Sequence, residues 1–572
     1  MPRPRLCFEN DSRHTLLYMY EPPIHAEEIE SAVDELLGTP VEALFFNLGY
    51  GNAFLHDTKV ADQWGPQARA TEVFRPGGHH QWSHLVFQRA YRNAQQLIGE
   101  GRDPLRIVCD RARAKGMLLY PSLQVQTDLG PELSIGGDGP GAHLADFARA
   151  EVRDQRFAIV DEVLRNYPVD GCELNLNHYA GGSFFHPDAI DADLLTNWIA
   201  RIHAAVKASD PDRELALRIP TSIAGCLSIG LDPEEWIRRG IADVLVAENF
   251  AAMSLIDATA DFRPLVAAAK DSDCRIHGAI RNIVDNDRLH TAPIAMVRAA
   301  AANYWTQGVD GLNLVHWAGN WPYGPDFYAQ LRELPDPEIM AAKDKIYAIP
   351  TPTGRTTENP TVDPGLALQL PVHLELDRPV QLHLPVSDDL PYWSERGRVH
   401  EVILRLRLMR ATERDELSFK LNGAKLPAHL LRTINHTYQL SAPRFRSHPS
   451  YWYIFRLDRD HWPVPGDNAI EVTLHERDPE ATPPLWVRDS SSKSATCATR
   501  APIAGPTTPT PTSDRMSTRS AEPTTRRKPC TAPIYSSNAS KPRASAPSSA
   551  CPAPRISTST TRSCAAAAST TT

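Results

Sequence analysis

Residues 1–340 alternate short apolar runs with segments in which apolar residues recur every three or four positions. The runs predict β-strands and the recurrent segments predict helices. The predicted strands lie at residues 14–23, 41–52, 116–127, 170–177, 214–222, 243–250, 274–282 and 310–321. Eight strands, each followed by a helix, favour a closed parallel (β/α)8 TIM barrel. The rival, an open doubly wound sheet, would usually carry a GxGxxG or GxxxxGK[ST] phosphate loop, and the chain has neither.

The period of the pattern changes after the stretch IPTPTGRTTENPTVDPG. Apolar and polar residues now alternate one by one in short runs such as VQLHLPV, HEVILRLRLMR and NAIEVTLHE, which is typical of half-buried antiparallel strands. Asn422-Gly423 predicts a tight hairpin turn. We therefore predict a small antiparallel β-sandwich, with a barrel at 1–345, a linker at 346–366 and the sandwich at 367–489.

The segment 490–572 has a different composition from the rest of the chain. It is rich in Ser, Thr, Pro, Ala and Arg and has almost no apolar periodicity, so we predict a disordered tail. A change of reading frame near Asp489 would also produce such a tail. It carries 11 Lys/Arg against 2 Asp/Glu, and with a net charge of −9 for the whole chain the remainder is at −18.

Composition and charge exclude several classes of protein. The chain is 42% hydrophobic and 23% charged, as in soluble globular proteins, and its apolar runs are too short for a membrane span. The strongly acidic body argues against nucleic acid as a partner. The first residues show no secretory signal, so we expect a cytoplasmic protein. The nine cysteines have no metal-ligand spacing, and those of the body are expected to be buried free thiols.

The stretch DGCELNLNHY (170–179) raises the question of function. In a strand, Glu173, Asn175 and Asn177 would share one face, and the intervening leucines the other. Burying such a polar row costs free energy unless its members are paired or used. The row is therefore either the floor of an active site or a structural network, and in the second case Glu173 would pair with Arg218.

Polar and aromatic residues collect at the carboxyl ends of the predicted strands, where TIM barrels place their active sites. The residues expected to bind substrate are Glu21, Asn47, Tyr50, His56, Asp57, Tyr120, Gln124, Asn175, Asn177, His178, Arg218, Asn249, His277, Arg281, His316 and Trp317. Such a set suits sugars, because hydroxyl groups need polar partners and the apolar faces of sugar rings stack on aromatic side chains. We expect a carbohydrate partner and no metal or cofactor, and the sequence leaves the oligomeric state open.

Two carboxylates stand out among the residues near strand ends. Glycoside cleavage needs two carboxyl groups, one as acid and one as nucleophile or base. Glu173 on the fourth strand and Glu248 on the sixth are the candidates for this catalytic pair. The predicted activity is hydrolysis of an oligo- or polysaccharide.

The motif DGCELNLN resembles the fourth-strand DGxDxDxE signature of chitinase-type barrels, although Asn177 stands where that family has its catalytic Glu. The pair on strands four and six is similar to that of alpha-galactosidase-type barrels. That resemblance implies retention, with Glu173 as nucleophile and Glu248 as acid/base. Through LHDTK, DPEEWIRRGIADVLV and ERDELSFKLNG, residues 14–489 resemble bacterial glycosyl-hydrolase-like barrels of uncharacterised activity that carry a C-terminal β-sandwich.

Two other functions stay open at this point. Asn175 and Asn177 keep hydrogen-bonding capacity but cannot transfer protons at neutral pH, which favours a carbohydrate-binding barrel without catalysis. A sugar lyase or isomerase would use His277 or His178 as its base.

Overall fold

A closed barrel of eight parallel strands forms the amino-terminal part of the molecule. The computed structural model describes residues 3–12, 19–63, 83–138, 141–177, 183–249, 255–284, 291–315, 317, 324–351, 365–366, 368–435 and 450–496. The barrel strands are β1 (Leu6–Asn10), β2 (Ala43–Asn47), β6 (Leu118–Gln124), β7 (Gly171–Asn175), β8 (Glu214–Pro220), β9 (Val244–Glu248), β10 (Arg275–Ile280) and β11 (Gly311–Leu314). They are hydrogen-bonded in the order β1-β11-β10-β9-β8-β7-β6-β2, with β2 closing onto β1. The predicted (β/α)8 barrel is confirmed.

Helices and a small sheet surround the barrel. The helices are α1 (Ala26–Asp34), α2 (Ser83–Gly99), α3 (Pro104–Lys115), α4 (Ala150–Asn166), α5 (Ala192–Ser209), α6 (Ile223–Leu227), α7 (Pro233–Arg239), α8 (Arg263–Ala269), α9 (Ile294–Thr306), α10 (Pro325–Glu333) and α11 (Pro337–Ala341). The small sheet is β3 (Gly49–Tyr50), β4 (Ala53–Phe54) and β5 (Asp62–Gln63). The local sequence explains helix limits such as those of α3, where the Asp103 side chain accepts from the Arg106 N–H at the start and Gly116 ends the helix in the left-handed conformation.

The first barrel strand is not the predicted one. Leu6–Asn10 is buried throughout and pairs with both β2 and β11, so it closes the barrel. Of the predicted strand 14–23, residues 19–23 form turns and bends, and the rest lie outside the described residues. Glu21 therefore does not end a strand. Its side chain is 76% exposed and forms an ion pair with Arg89. A short strand that is buried on both faces shows no alternation of apolar and polar residues. The strand LCFEN was therefore not predicted from the sequence.

Two antiparallel sheets follow the barrel and share one apolar core. Their strands are β12 (Lys345–Ala348), β13 (Val372–His373), β14 (Val380–Val386), β15 (Val399–Met409), β16 (Glu416–Leu421), β17 (Ala424–Lys425), β18 (Leu431–Asn435), β19 (Ser450–Arg456), β20 (Gly466–Glu476) and β21 (Trp486–Thr496). One sheet has the order β12-β21-β15-β19-β18, with β13 on β21, and the other has the order β14-β20-β16-β17. The helix α12 (Leu390–Glu395) precedes β15. Asn422 and Gly423 both have positive φ in the β16–β17 hairpin, as its predicted turn requires.

The sandwich begins earlier and ends later than the sequence indicated. β12 pairs with β21, with Lys345 opposite Ser494, so residues 345–348 belong to the sandwich sheet and not to the barrel or the linker. β21 continues to Thr496, beyond the predicted end at 489. The Ser-rich end of this strand has no apolar signal, but its backbone completes the ladder between β12 and β15. Residues 497–572 lie outside the described part of the chain.

The sandwich packs on helix α9 of the barrel. Ala299 of α9 is a member of the sandwich core, and the Asn303 amide donates to the Pro385 carbonyl at 3.0 Å. Five cysteines of the body are buried free thiols, as expected. No helix of the described residues is long and apolar enough to cross a membrane.

Candidate functional site

Polar side chains form several layers along the axis of the barrel. The layer nearest the amino-terminal ends of the strands is structural. Near the amino-terminal ends of the strands, the Tyr120 hydroxyl donates to Glu214 at 2.6 Å and Arg275 donates to the same carboxylate at 2.5 Å. The Tyr120 ring stacks on Phe45 with centroids 4.9 Å apart and is 1% exposed. Tyr120 was expected to bind substrate, but it lies in the packed floor. The alternation of residues along a strand shows which side chains point inward, but it does not show how deep in the barrel each one lies.

His277 also lies deep in the barrel. Its Nδ1 is 3.8 Å from the Cys7 thiol, and its ring packs so closely against Gly311 that a Cβ there would lie 2.7 Å from Nε2. Burial, assisted by Arg275, lowers the pKa of His277 to about 3. His277 is the third residue of β10 and is 1% exposed, so it lies below the strand ends, and the structure does not bring it to the predicted substrate-binding residues there.

Glu173 is the centre of a buried network in the middle of the barrel. Arg218 donates to both of its carboxylate oxygens, from Nε at 2.9 Å and from a terminal nitrogen at 3.0 Å, and the Ser122 hydroxyl donates to one of them. The second terminal nitrogen of Arg218 donates to Glu9 at 3.2 Å. Glu173 and Arg218 are 0% exposed, and Glu9 is 2% exposed.

The protonation behaviour of this network agrees with a structural role. Burial raises the pKa of Glu173, and the nearby Arg218 opposes that rise. Burial by itself would lower the pKa of Arg218, but the carboxylates of Glu173 and Glu9 raise it overall. Glu173 lies in the middle of β7, below the strand ends, and both of its oxygens are occupied by Arg218 and Ser122, which does not fit a nucleophile. The alternative that Glu173 pairs with Arg218 is the arrangement found.

Above the network lies a layer of amides at the carboxyl ends of the strands. Gln124 and Asn175 are opposite each other in the pairing of β6 and β7. Asn175 accepts from the Asn177 N–H at 3.1 Å, and Asn47 at the end of β2 accepts from the Gly49 N–H at 2.9 Å. The Gln124 Oε1 is buried and receives no hydrogen bond from the described residues. These amides, predicted from the sequence as substrate-binding residues, are the last residues of β2, β6 and β7, and their part in binding stays a prediction.

Glu248 is the carboxylate at this level. It is the last residue of β9, is 1% exposed, and has both oxygens 2.9 Å from a terminal nitrogen of Arg281. Only Oε1 is in hydrogen-bond geometry with it, so Oε2 lacks a hydrogen-bond donor among the residues that the structure describes. The neighbouring Asn249 is held by Asp257 at 2.8 Å and by the Thr221 hydroxyl. Glu248, Asn249 and Arg281 were all predicted at the site.

Other predicted site residues lie elsewhere. His56 is buried 3.3 Å from Glu162 of helix α4, and Asp57 is paired with Lys59 at 2.5 Å while its N–H contacts Asp103. The LHDTK loop therefore packs against the helices outside the barrel, and neither His56 nor Asp57 is at the mouth. The structure does not bring His56, Asp57 or Glu21 to the mouth of the barrel. The sequence of a loop does not show toward which part of the molecule the loop turns.

Trp317 has a defined position behind the strand ends. Its indole N–H donates to the Ile280 carbonyl at 2.9 Å, and its ring meets Phe327 of α10 at 6.0 Å between centroids. It lies in the apolar layer between strands and helices. His178, His316 and the side chain of Tyr50 lie outside the described residues.

Sequence reasoning missed several members of the interior. Glu9 was missed because the first strand was misplaced. Ser122, Glu214 and Arg275 share the inward alternation of strands that were predicted, so counting every second residue would have found them. Within the described part of the chain, no three His, Cys, Asp or Glu residues are arranged to hold a metal ion.

No family model matches the chain, and no curated protein matches it. A cycloisomaltooligosaccharide glucanotransferase from Paenibacillus sp. overlaps with 85% of this chain, at 11% identity and TM-score 0.31, and the chain spans only 57% of that structure. An alpha-amylase from Geobacillus thermoleovorans overlaps over 83% of this chain and 98% of its own, at 10% identity and TM-score 0.36. The glycoside hydrolase domain of PgaB (BpsB) from Bordetella bronchiseptica overlaps over 58% and 99%, at 12% identity and TM-score 0.37. At these identities and TM-scores, the overlaps carry no argument about the activity or the substrate of this chain.

Proposed function

We propose that the chain binds an oligo- or polysaccharide at the carboxyl-terminal mouth of its barrel, and that Glu173 takes no part in the chemistry. The observation that carries the proposal is the layer of amides at the strand ends, with Asn47, Gln124 and Asn175 as the last residues of β2, β6 and β7.

The charge at the mouth supports a neutral ligand. Glu248 is already paired with Arg281, and the polar groups around them are the amides of Gln124, Asn175 and Asn47. Amides donate and accept equally, as hydroxyl-rich molecules require. An anionic ligand would compete with Glu248 for Arg281, and a cationic ligand would compete with Arg281 for Glu248.

Glycoside hydrolysis is the second candidate, and the position of Glu248 favours it. A carboxylate on the last residue of a barrel strand is placed where barrel enzymes act. The reaction needs a second carboxyl group, and Glu173 is enclosed by its own network. Asp11, which follows β1 and is 8% exposed, is the residue that we propose as its partner. Retention, expected from the pairing with Glu173, is then not implied.

The test uses the full chain and a panel of neutral oligosaccharides, including maltose, cellobiose, chitobiose and mannobiose series. Binding is measured by calorimetry and hydrolysis by the release of reducing ends. We expect Gln124→Ala to weaken binding by at least tenfold, whereas Gln381→Ala on the sandwich surface leaves it unchanged. If Glu248→Gln abolishes product release, the hydrolase is established, and binding without product supports the binding barrel. Failure of every sugar to bind at millimolar concentration refutes both.

A further inference from the structure

Three side chains on the outer face of the sandwich form a serine–histidine–aspartate arrangement. The Ser418 hydroxyl lies 2.7 Å from Nε2 of His475, and Nδ1 of the same ring lies 3.4 Å from the Asp377 carboxylate. We propose that these residues form a second, hydrolytic site, which cleaves short-chain carboxylic esters through an acyl-serine intermediate on Ser418. The proposal goes beyond sugar binding by the barrel and does not depend on it.

An irregularity of strand β20 positions His475. Between Leu474 and Glu476, the register of β20 against β16 shifts by one residue, so His475 is an extra residue with none opposite it. Such β-bulges are over-represented next to active sites, where they re-aim a side chain. Ser418 of β16 points outward because the next residue, Phe419, belongs to the sandwich core. The bulge therefore turns the imidazole towards a serine on the neighbouring strand.

The turn between β13 and β14 positions Asp377. Its backbone is left-handed, with φ at 56°, a conformation that Asp and Asn adopt more readily than most residues. Its N–H donates to the Leu474 carbonyl at 2.8 Å, directly before His475. The Arg378 N–H closes the turn on the Glu375 carbonyl, and the two side chains form an ion pair of their own at 2.5 Å. The backbone of Asp377 is therefore tied to the strand that carries the imidazole.

Both contacts of His475 require the same tautomer of its ring. With the proton on Nδ1, the ring donates to Asp377, and the unprotonated Nε2 accepts from the Ser418 hydroxyl. This order is the one that nucleophilic catalysis needs, with a nucleophile in reach of a base and a third group that orients the base. The distance of 3.4 Å between Nδ1 and the carboxylate is long, and catalytic hydrogen bonds commonly tighten only when substrate binds.

The surroundings of the three residues favour a small acyl group. The side chains of His475 and Asp377 are 45% and 77% exposed, so an ester bond on a large molecule can reach the site. Leu376, directly before Asp377, is 56% exposed and offers one apolar contact. A single leucine gives little surface on which to bury a long acyl chain. We therefore expect acetyl and butyryl esters as substrates.

The reaction has two steps. Ser418 Oγ attacks the carbonyl carbon of the ester while its proton passes to Nε2 of His475. The bond from this carbon to the alcohol oxygen then breaks, and Nε2 returns the proton to the leaving alcohol. Water attacks the acyl-serine in the same way and releases the carboxylic acid and free Ser418.

The negative charge that develops on the carbonyl oxygen needs an N–H donor. The residue after the nucleophile, Phe419, has its carbonyl turned towards the Leu426 N–H at 2.9 Å and so away from β20. Because the N–H and the carbonyl of a strand residue point to the same side, the Phe419 N–H also faces this side of β16. It is the donor next to the nucleophile that the oxyanion can use.

The experiment on the full chain has two readouts. One is hydrolysis of p-nitrophenyl acetate, and the other is labelling by a fluorophosphonate probe, with the labelled serine mapped by peptide mass spectrometry. We expect the label on Ser418, and a loss of kcat/KM of at least about a hundredfold in Ser418→Ala and in His475→Gln. The control His461→Gln removes the histidine of another histidine–aspartate pair of the sandwich, 2.5 Å from Asp458, and should change neither readout.

Asp377 is a positioning residue, so its test separates kcat from KM. Asn tolerates the left-handed backbone but carries no charge, and we expect Asp377→Asn to lower kcat at least about tenfold with KM unchanged. Labelling of the unaltered chain needs no variant, so a chain that is not labelled on Ser418 overturns the proposal even if the variants fail to fold. Ester hydrolysis that survives Ser418→Ala or His475→Gln overturns it as well.

Discussion

Replacing Arg218 by Met tests whether the Glu173 network is structural. Arg218 makes two hydrogen bonds to Glu173 and one to Glu9, and all three side chains are at most 2% exposed. Met has a similar length but no charge, so the substitution leaves two carboxylates in the barrel without their cation. We expect a large loss of stability, because a buried ionised group without a partner cannot recover its hydration.

The magnitude follows from the distances. At about 3 Å and an effective dielectric constant of about 20, one such pair contributes roughly 5 kcal/mol of gross Coulomb energy. Desolvation of the charges offsets part of this gain, and breaking one buried pair typically costs about 3–5 kcal/mol. We expect Arg218→Met to lower the free energy of unfolding by that amount. The double variant Arg218→Met/Glu173→Gln should be more stable than Arg218→Met, because it removes one of the uncompensated charges.

The assay is urea unfolding of the full chain, followed by circular dichroism. The single variants Arg218→Met and Glu173→Gln and the double variant together form a double-mutant cycle. The control is Arg238→Met, which breaks a surface ion pair with Glu235 on α7; the Arg238 side chain is 72% exposed, so the change should not measurably alter stability. A loss below about 1 kcal/mol for Arg218→Met, or a double variant no more stable than the single one, would refute the structural network.

Three further predictions concern the interior and one helix end. Gly311→Ala places a Cβ 2.7 Å from Nε2 of His277, so we expect a loss of about 1–3 kcal/mol in unfolding experiments, and an unchanged stability would contradict the close contact. Tyr120→Phe removes the hydrogen bond to Glu214 and should cost about 1.5–3 kcal/mol by the same measurement, unless that bond is absent in solution. Burial raises the pKa of Glu35 from 4.5 to about 8, so between these values the folded chain holds a proton that the unfolded chain releases. The free energy of unfolding should therefore fall as the pH rises, by at most about 1.4 kcal/mol per pH unit. Glu35→Gln should remove this contribution from the pH dependence of stability. If the pH dependence of stability is the same in the variant and in the unaltered chain, Glu35 is solvated.

The sequence by itself determined the architecture. Strands β2 and β6–β11 and most of the helices follow from apolar periodicity, because burial of one face is a local property that recurs along the chain. The hairpin at Asn422-Gly423 follows from backbone chemistry, since both residues must adopt positive φ. The sequence also indicated that Glu173, Asn175 and Asn177 share a face. These features depend on neighbours in the chain, which the sequence contains.

Only the tertiary structure decided what that polar row does. Whether Glu173 meets a sugar or Arg218 depends on how deep it lies in the barrel and on Glu9 and Ser122, which come from distant strands. Burial and pairing of charges are set by the packing of all eight strands, so no local pattern contains them. The same holds for His56, whose loop turns toward helix α4.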